Sequence, residues 1–186
     1  MKRLAKLKSL NLPNILSISR VFLVPVVMVF LTLRTQFDFI FGFNIGDLLA
    51  GFFFIAASIT DAVDGYIARS RGLVTTLGKF IDPLADKIMV VAVLIALVDL
   101  HRVPAWMVVV IISREFIVTG LRMIAASQGI VIAASKWGKS KTISQMIGII
   151  FLIFDVPGGM PIMWVAMVLT IWSGCDYLIK SAKVFE

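Results

Sequence analysis

Six long apolar segments are the feature that most constrains how this chain can fold. They cover residues 12–33, 47–69, 79–100, 104–128, 140–156 and 160–180. About 20 helical residues cross the hydrocarbon core of a bilayer, which is roughly 30 Å thick. Helices are the expected conformation, because a backbone exposed to lipid has to satisfy its own hydrogen bonds. The pattern predicts an all-α membrane protein in which six transmembrane helices form a single domain over residues 1–186.

Composition excludes several other classes of protein. Of the 186 residues, 60% are hydrophobic, more than a soluble domain of this size can bury. The single cysteine, Cys175, excludes a framework of disulfides within the chain. The net charge of +7 is compatible with nucleic-acid binding, but the basic residues lie between apolar segments and form no single stripe. The sequence therefore predicts membrane lipids, and no nucleic acid, as its surroundings.

The basic residues predict an orientation in the membrane. Only Arg34 and Arg102 fall on one side of the six predicted spans. Twelve fall on the other side: Lys2, Arg3, Lys6, Lys8, Arg69, Arg71, Lys79, Lys136, Lys139, Lys141, Lys180 and Lys183. Since cytoplasmic loops collect Lys and Arg, both termini are expected in the cytoplasm, with the chain in a membrane of the bacterial cytoplasmic type.

The first ten residues form a separate amphipathic pattern. Leu4, Leu7 and Leu10 fall on one helical face, and basic residues occupy the remainder. This pattern predicts a short helix that lies in the membrane interface against anionic lipid. The alternative is a basic tail without structure that follows the same cytoplasmic bias.

Four aspartates, Asp61, Asp64, Asp82 and Asp86, crowd into the second and third spans near the predicted cytoplasmic face. Ionised carboxylates at that depth are costly unless they are partnered, and four together repel one another. Two pairs on adjacent antiparallel helices offer the oxygen ligands that Mg²⁺ or Mn²⁺ prefers. No histidine or cysteine accompanies them, which argues against zinc. Buried salt bridges are the alternative interpretation.

The spacing of these aspartates resembles the signature of the CDP-alcohol phosphotransferase family. Residues 61–69 read Asp-Ala-Val-Asp-Gly-Tyr-Ile-Ala-Arg, and eight residues separate Arg69 from Gly78. Three residues then precede Asp82, and three more precede Asp86. Every fixed position of the family signature is filled. The six-span layout and the chain length are also similar to the family.

The resemblance implies a six-helix membrane enzyme that forms a homodimer and whose polar cavity opens to the cytoplasmic leaflet. It implies two divalent cations, Mg²⁺ or Mn²⁺, that bind the pyrophosphate of a CDP-linked lipid. Asp61, Asp64 and Asp82 would be metal ligands, and Asp86 a ligand, the general base, or both. The residues that would line the binding site of the CDP-lipid are Asp64, Gly65, Ala68, Arg69 and Gly78.

Three further segments, residues 11–20, 113–116 and 136–142, resemble one branch of the family. Members of that branch transfer a phosphatidyl group from CDP-diacylglycerol to glycerol 3-phosphate and release CMP. The resemblance therefore implies CDP-diacylglycerol as the donor and glycerol 3-phosphate as the acceptor.

Cations in the fourth and fifth spans independently fit a phosphorylated acceptor. Arg114 lies well inside an apolar span, where charge is normally functional, and Arg122 lies about two turns further along. Lys139 and Lys141 stand at the start of the fifth span, where the helix dipole favours anions. We predict that these four residues bind the acceptor phosphate. A salt bridge to Glu115 or to a signature aspartate is the alternative for Arg114, and the cytoplasmic bias is the alternative for the two lysines.

Other functions remain open at this stage. The signature does not separate glycerol 3-phosphate from inositol phosphate, serine or phosphatidylglycerol as acceptor. A small transporter of cations or phosphate would also use buried carboxylates. Transporter sites, however, tend to lie at the membrane midplane between structural repeats, and this sequence has no internal repeat.

Overall fold

The computed structural model describes residues 12–70, 76–127 and 136–185. This part of the chain contains six long helices and is all-α apart from one small hairpin, as the apolar segments predicted. The helices are α1 (Leu12–Thr32), α2 (Ile45–Ser70), α3 (Thr76–Asp99), α4 (Ala105–Ser127), α5 (Lys136–Ile153) and α6 (Gly159–Phe185). The interfacial helix predicted within residues 1–10 lies outside these ranges.

The ends of the last two helices differ from the predicted spans. Helix α5 covers 136–153 where residues 140–156 were predicted, because a helix continues through polar residues such as Lys139 that a search for apolar sequence leaves out. It ends before Asp155, whose backbone is left-handed with φ of 56°. Helix α6 extends to Phe185, beyond the predicted limit at residue 180.

The connection between α1 and α2 is more ordered than the loop that the sequence predicted. A 3-10 turn, Arg34–Gln36, precedes an antiparallel pair of short strands, β1 (Phe39–Ile40) and β2 (Phe43–Asn44). Phe39 pairs with Asn44, and Ile40 pairs with Phe43. The two turn residues, Phe41 and Gly42, both have positive φ, as tight two-residue hairpins require.

The chain divides into two compact units, and the first ends at Ala96. Within it, α1 packs against α2 along an apolar seam. The rings of Phe30 and Phe53 stack with centroids 5.8 Å apart. A Cβ atom at Gly46 would lie 2.7 Å from the carbonyl oxygen of Phe30, so only glycine permits this close approach. The seam is buried at Val27, Leu31, Ala50, Phe54 and Ala57.

The second unit begins at Leu97 and contains α4, α5 and α6. Helix α6 packs against both α4 and α5. Two glycines permit close approach: a Cβ atom at Gly148 would lie 2.8 Å from Sδ of Met163, and one at Gly174 would lie 3.1 Å from Cγ of Arg114. Small residues at such crossings are typical of helices that pack in membranes.

By length and composition alone, one stretch of the described chain, Gly159–Ile179 in α6, can cross a membrane. Residues Ile18–Thr32 of α1 form a shorter apolar helix. Large apolar side chains are nevertheless exposed on several helices, among them Phe22 on α1, Phe52 on α2 and Trp172 on α6.

Candidate active site

The four signature aspartates lie on two consecutive helices. Asp61 and Asp64 are three residues apart on α2, and Asp82 and Asp86 are four residues apart on α3. The side chain of Asp61 is the one that the structure describes. For the other signature residues, the helical backbone is described and the side chains are not: Asp64, Gly65, Ala68, Arg69, Gly78, Asp82 and Asp86.

Asp61 forms an ion pair with an arginine from another helix. Nη1 of Arg20, on α1, donates a hydrogen bond to Oδ1 of Asp61 at 2.5 Å. The Arg20 side chain is only 2% exposed, whereas that of Asp61 is 41% exposed. A buried guanidinium is costly unless it is paired, so this contact accounts for a charged residue inside an apolar helix. It also leaves part of the Asp61 carboxylate accessible.

Arg20 was not among the site residues predicted from the sequence. The residue closes the segment 11–20 that resembles one branch of the family, but its partner is 41 positions away in sequence. A signal was nevertheless present, because a lone arginine in an apolar span calls for an acidic partner and Asp61 and Asp64 lie in the next predicted span.

The carboxylate oxygens of the signature are ligand atoms that fit a hard divalent cation. All four side chains are carboxylates, and oxygen is the ligand atom that Mg²⁺ and Mn²⁺ favour. Among the side chains that the structure describes, no three His, Cys, Asp or Glu residues come together. Asp61 is the only signature aspartate among those described side chains.

A second ionic cluster lies within the second unit and centres on Glu115. Nη1 of Arg114 lies 3.3 Å from Oε1 of Glu115, and Nζ of Lys141 contacts the same oxygen. Nη2 of Arg114 donates to Oγ of Ser173 at 2.9 Å. We refer to these four residues as the Glu115 cluster. Helices α4, α5 and α6 each contribute to it.

The Glu115 cluster carries more positive than negative charge. Arg114 and Lys141 are two cations that share one carboxylate, and the Lys141 side chain is only 3% exposed. Nε of Arg114 is buried and donates to no partner in the described part of the chain. Two cations beside one carboxylate suit the cluster to an anionic ligand.

The structure brings together only some of the predicted acceptor residues. The salt bridge weighed as an alternative for Arg114 is present, with Glu115. Arg122 instead lies over the ring of Tyr177, with its guanidinium carbon 5.4 Å from the centroid. Lys139 is exposed. No hydrogen bond or ion pair within the described ranges joins Arg122 or Lys139 to the Glu115 cluster.

A polar residue that the sequence analysis did not select lies near Lys141. Gln145 is one helical turn further along α5 and is buried. Its Oε1 atom is without a hydrogen-bond partner among the described residues. Buried amides normally have partners, so Gln145 is a further candidate for contact with a polar ligand.

Comparison with known proteins agrees with these features. Residues 10–172 match the family model described as CDP-alcohol phosphatidyltransferase. The chain is 44% identical to the CDP-diacylglycerol–glycerol-3-phosphate 3-phosphatidyltransferase of Bacillus subtilis, over 95% of this chain and 97% of that protein. It is 36% identical to the protein of the same name from Rickettsia felis, over 94% and 97% of the two chains. It is also 36% identical to the probable phosphatidylglycerophosphate synthase of Mycobacterium tuberculosis, over 93% and 82%. The match extends over most of the chain and includes the whole aspartate signature, and the chain therefore belongs to the CDP-alcohol phosphatidyltransferase family.

Proposed function

We propose that this protein transfers the phosphatidyl group of CDP-diacylglycerol to glycerol 3-phosphate, giving phosphatidylglycerophosphate and CMP. The names of relatives that are 36% to 44% identical over most of the chain support this reaction. The structural observation that carries the choice of acceptor is the Glu115 cluster. It places two cations, Arg114 and the buried Lys141, on neighbouring helices, and cations of this kind are the groups that bind the dianionic phosphate of glycerol 3-phosphate.

The signature aspartates are proposed to hold two divalent cations, Mg²⁺ or Mn²⁺. Cations held there would supply the positive charge that neutralises the pyrophosphate of the CDP-lipid and stabilises the departing CMP. Asp61, Asp64 and Asp82 are the proposed ligands, and Asp86 is a ligand, the general base, or both. The remaining signature residues, Gly65, Ala68, Arg69 and Gly78, are proposed to line the site of the CDP-lipid.

Arg20 supports this site indirectly. Its Nη1 atom donates a hydrogen bond to Oδ1 of Asp61, which would hold the carboxylate in one orientation. The other carboxylate oxygen, Oδ2, is the proposed ligand atom for a cation. Residues that hydrogen-bond to a metal-ligating side chain, without contacting the metal, strongly influence metal affinity. We therefore propose Arg20 as a positioning residue for Asp61.

In the proposed reaction, a hydroxyl oxygen of glycerol 3-phosphate attacks the phosphorus that carries the diacylglycerol. The new oxygen–phosphorus bond forms as the bond from phosphorus to the CMP oxygen breaks, and CMP leaves with that electron pair. The carboxylate of Asp86 would accept the hydroxyl proton. The protein's main contribution to such a transfer is to position the reactants and neutralise charge.

The acceptor phosphate is proposed to bind Arg114 and Lys141, with Glu115 holding the two cations in place. Arg122 and Lys139 remain proposed contributors, although each lies apart from the Glu115 cluster. Serine has no phosphate and would not need these cations. Inositol phosphate would need them too, but its additional hydroxyls call for more polar side chains than α6 offers, chiefly Ser173 and Asp176.

All six helices are proposed to cross the membrane, with both termini and the active site on the cytoplasmic side. Membership of the family, the exposed apolar side chains and the division of basic residues support this topology. In a Cys175→Ser background, cysteines introduced at Gln36, Arg102 and Gly158 should react with impermeant reagents from outside the cell. Cysteines at Ser70, Lys136 and Lys183 should react only after permeabilisation. A homodimer is proposed as the functional form.

The decisive experiment is CMP release by the purified protein with CDP-diacylglycerol and a panel of acceptors. Release should be fastest with glycerol 3-phosphate. Faster release with inositol phosphate, serine or phosphatidylglycerol would reassign the acceptor while keeping the reaction class. A small cation or phosphate transporter would cleave no donor with any acceptor, so the same assay tests that alternative.

A further inference from the structure

The hairpin between α1 and α2 presents a cluster of apolar side chains outward. Phe39 is 67% exposed and Phe41, at the turn, is 98% exposed. Ile40 and Phe43 are also exposed. Four large apolar residues on one short hairpin are unusual for a surface in contact with water. These exposed side chains are expected to be covered by lipid or by another protein surface.

The hairpin is held by specific polar contacts. The buried side-chain amide of Asn44 donates to the carbonyl oxygens of Arg34 at 2.9 Å and Phe37 at 3.2 Å. Its Oδ1 atom accepts a hydrogen bond from the backbone amide of Gly46 at 2.8 Å. One side chain therefore ties the 3-10 turn, β2 and the start of α2 together. The exposed phenylalanines belong to an ordered structure that holds them in place.

An ion pair fastens the same end of the first unit. Nη2 of Arg34 lies 3.2 Å from Oδ2 of Asp47, whose side chain is almost fully buried. The close approach of Gly46 to the carbonyl oxygen of Phe30 joins the end of α1 to the beginning of α2. These contacts keep the hairpin against the ends of both helices.

Helix length predicts the depth of the hairpin in a bilayer. Helix α1 has 21 residues, a length of about 31 Å, which matches the roughly 30 Å hydrocarbon core. The hairpin follows α1 directly and precedes α2. Exposed apolar side chains lead toward it on both helices, including Val29 and Leu33 near the end of α1 and Phe52 near the start of α2. The apolar tip is thus continuous with the surface proposed to face lipid.

We propose that the hairpin tip, residues 39–43, inserts into the boundary between headgroups and acyl chains of the outer leaflet. Aromatic side chains favour this zone, where apolar rings leave water while the backbone stays near polar headgroups. The inference rests on the membrane crossing of α1 and α2 proposed above. Because Arg20 lies on α1 and Asp61 on α2, an anchor at this end fixes the depth of the pair that they form.

The test measures the depth of spin labels in proteoliposomes of phosphatidylethanolamine and phosphatidylglycerol. Single nitroxides are placed at Phe41, at Phe52 as the lipid-facing reference, and at the exposed polar residue Gln36 as the reference near water. All three are built in the Cys175→Ser background. Collision rates are measured with oxygen, which concentrates in lipid, and with a neutral nickel chelate, which stays in water.

Insertion predicts an oxygen-to-nickel ratio at Phe41 several times that at Gln36 and below that at Phe52. A ratio at Phe41 equal to that at Gln36, with Phe52 in lipid, would overturn the proposal and leave the membrane crossing intact. A wet Phe52 would overturn both, whereas CMP release tests the enzymatic function independently. Spectral broadening at Phe41 that disappears on dilution with unlabelled protein would show that a second copy covers the tip, which also contradicts insertion.

A matched pair of variants separates insertion from simple loss of the hairpin. With the label at Ile40, Phe39→Asp combined with Phe41→Asp should lower the oxygen-to-nickel ratio severalfold, because charges resist entry into lipid. Phe39→Trp combined with Phe41→Trp should preserve the ratio. Equal ratios in the two double variants would contradict the proposal.

Discussion

In the first unit one buried cation, Arg20, contacts Asp61, whereas in the second unit two cations, Arg114 and Lys141, share the carboxylate of Glu115. The first contact pairs one of the four signature aspartates with a cation and leaves its carboxylate partly exposed. The second places two cations, one of them buried, beside a single carboxylate. The group presented therefore differs in sign, in keeping with the proposal that cations bind at the signature aspartates and a phosphate binds at the Glu115 cluster.

The exposure of the charged groups also distinguishes the Arg20–Asp61 ion pair from the Glu115 cluster. Asp61 keeps an accessible carboxylate beside a buried arginine, so the anion is the group presented to a ligand. In the Glu115 cluster, an atom of a cation, Nε of Arg114, is buried without a partner among the described residues. The comparison predicts that removing signature carboxylates affects metal dependence, and that removing cluster cations affects use of the acceptor.

The largest effect is expected from loss of the signature carboxylates. Asp61→Asn, Asp64→Asn, Asp82→Asn and Asp86→Asn should each lower CMP release about a hundredfold or more, because several kcal/mol of charge stabilisation are removed. Chelator should abolish release by the unaltered protein, and Mg²⁺ or Mn²⁺ should restore it. Asp99→Asn, an exposed aspartate at the end of α3, is the matched control and should retain activity. Near-full turnover of Asp61→Asn at low metal concentration would remove Asp61 from the proposed ligands.

The next largest effect concerns the cations of the Glu115 cluster. Arg114→Ala and Lys141→Ala each remove a charge-assisted contact worth roughly 1.5–3 kcal/mol. The kcat/KM for glycerol 3-phosphate should therefore fall about ten- to a hundredfold, while the KM for CDP-diacylglycerol stays unchanged. Lys139→Ala should show a smaller loss, because Lys139 is exposed and no hydrogen bond or ion pair joins it to the cluster within the described residues. An equal loss of donor binding in the Lys141 variant would contradict the division of roles between the two clusters.

A smaller, metal-specific effect is expected at Arg20. Arg20→Gln removes the charge and Arg20→Lys keeps it, but neither reproduces the geometry of the guanidinium contact with Asp61. If Arg20 orients the carboxylate, both variants should weaken Mn²⁺ binding about tenfold, the lower end of the range for partners of metal ligands. Electron paramagnetic resonance of Mn²⁺ measures this binding without turnover. Normal affinity in the lysine variant would show that Arg20 acts through its charge alone.

The helices could be predicted from sequence more completely than the contacts between them. A long apolar segment that ends at polar residues or at Gly and Pro favours a single helix, so the six segments match the six helices apart from a few terminal residues. The pairing of Arg20 with Asp61 depends on how α1 and α2 rotate and slide against each other, which periodicity alone does not specify. The contact of Glu115 with Arg114 could be predicted because the two residues are adjacent in sequence. Its contact with Lys141 could not, because 26 positions separate them.

The hairpin was missed for a different reason. Its strands contain only two residues each, too few for an alternating pattern to stand out, and Asn44 stabilises it through contacts to backbone atoms. The residues at the turn, Phe41 and Gly42, include only one that is typical of a tight turn. Short elements of this kind depend on the helix ends that they join.

The smallest effect on catalysis, with a clear effect on stability, is expected at Arg102. Its Nη1 atom donates to the carbonyl oxygens of Leu152 at 3.0 Å and Ile153 at 2.7 Å, and its Nη2 atom lies 3.1 Å from Asp155. These contacts satisfy the last carbonyl groups of α5, and the pair with Asp155 balances one charge against one. Arg102→Ala should therefore lower the free energy of unfolding by about 1–3 kcal/mol, measured by thermal unfolding in detergent, while kcat/KM for glycerol 3-phosphate stays unchanged. Arg102→Lys should recover part of the stability. A large loss of kcat/KM for glycerol 3-phosphate without loss of stability would show that Arg102 contributes to use of the acceptor. It would contradict the proposal that the acceptor phosphate depends on the Glu115 cluster and not on an arginine already paired with one aspartate.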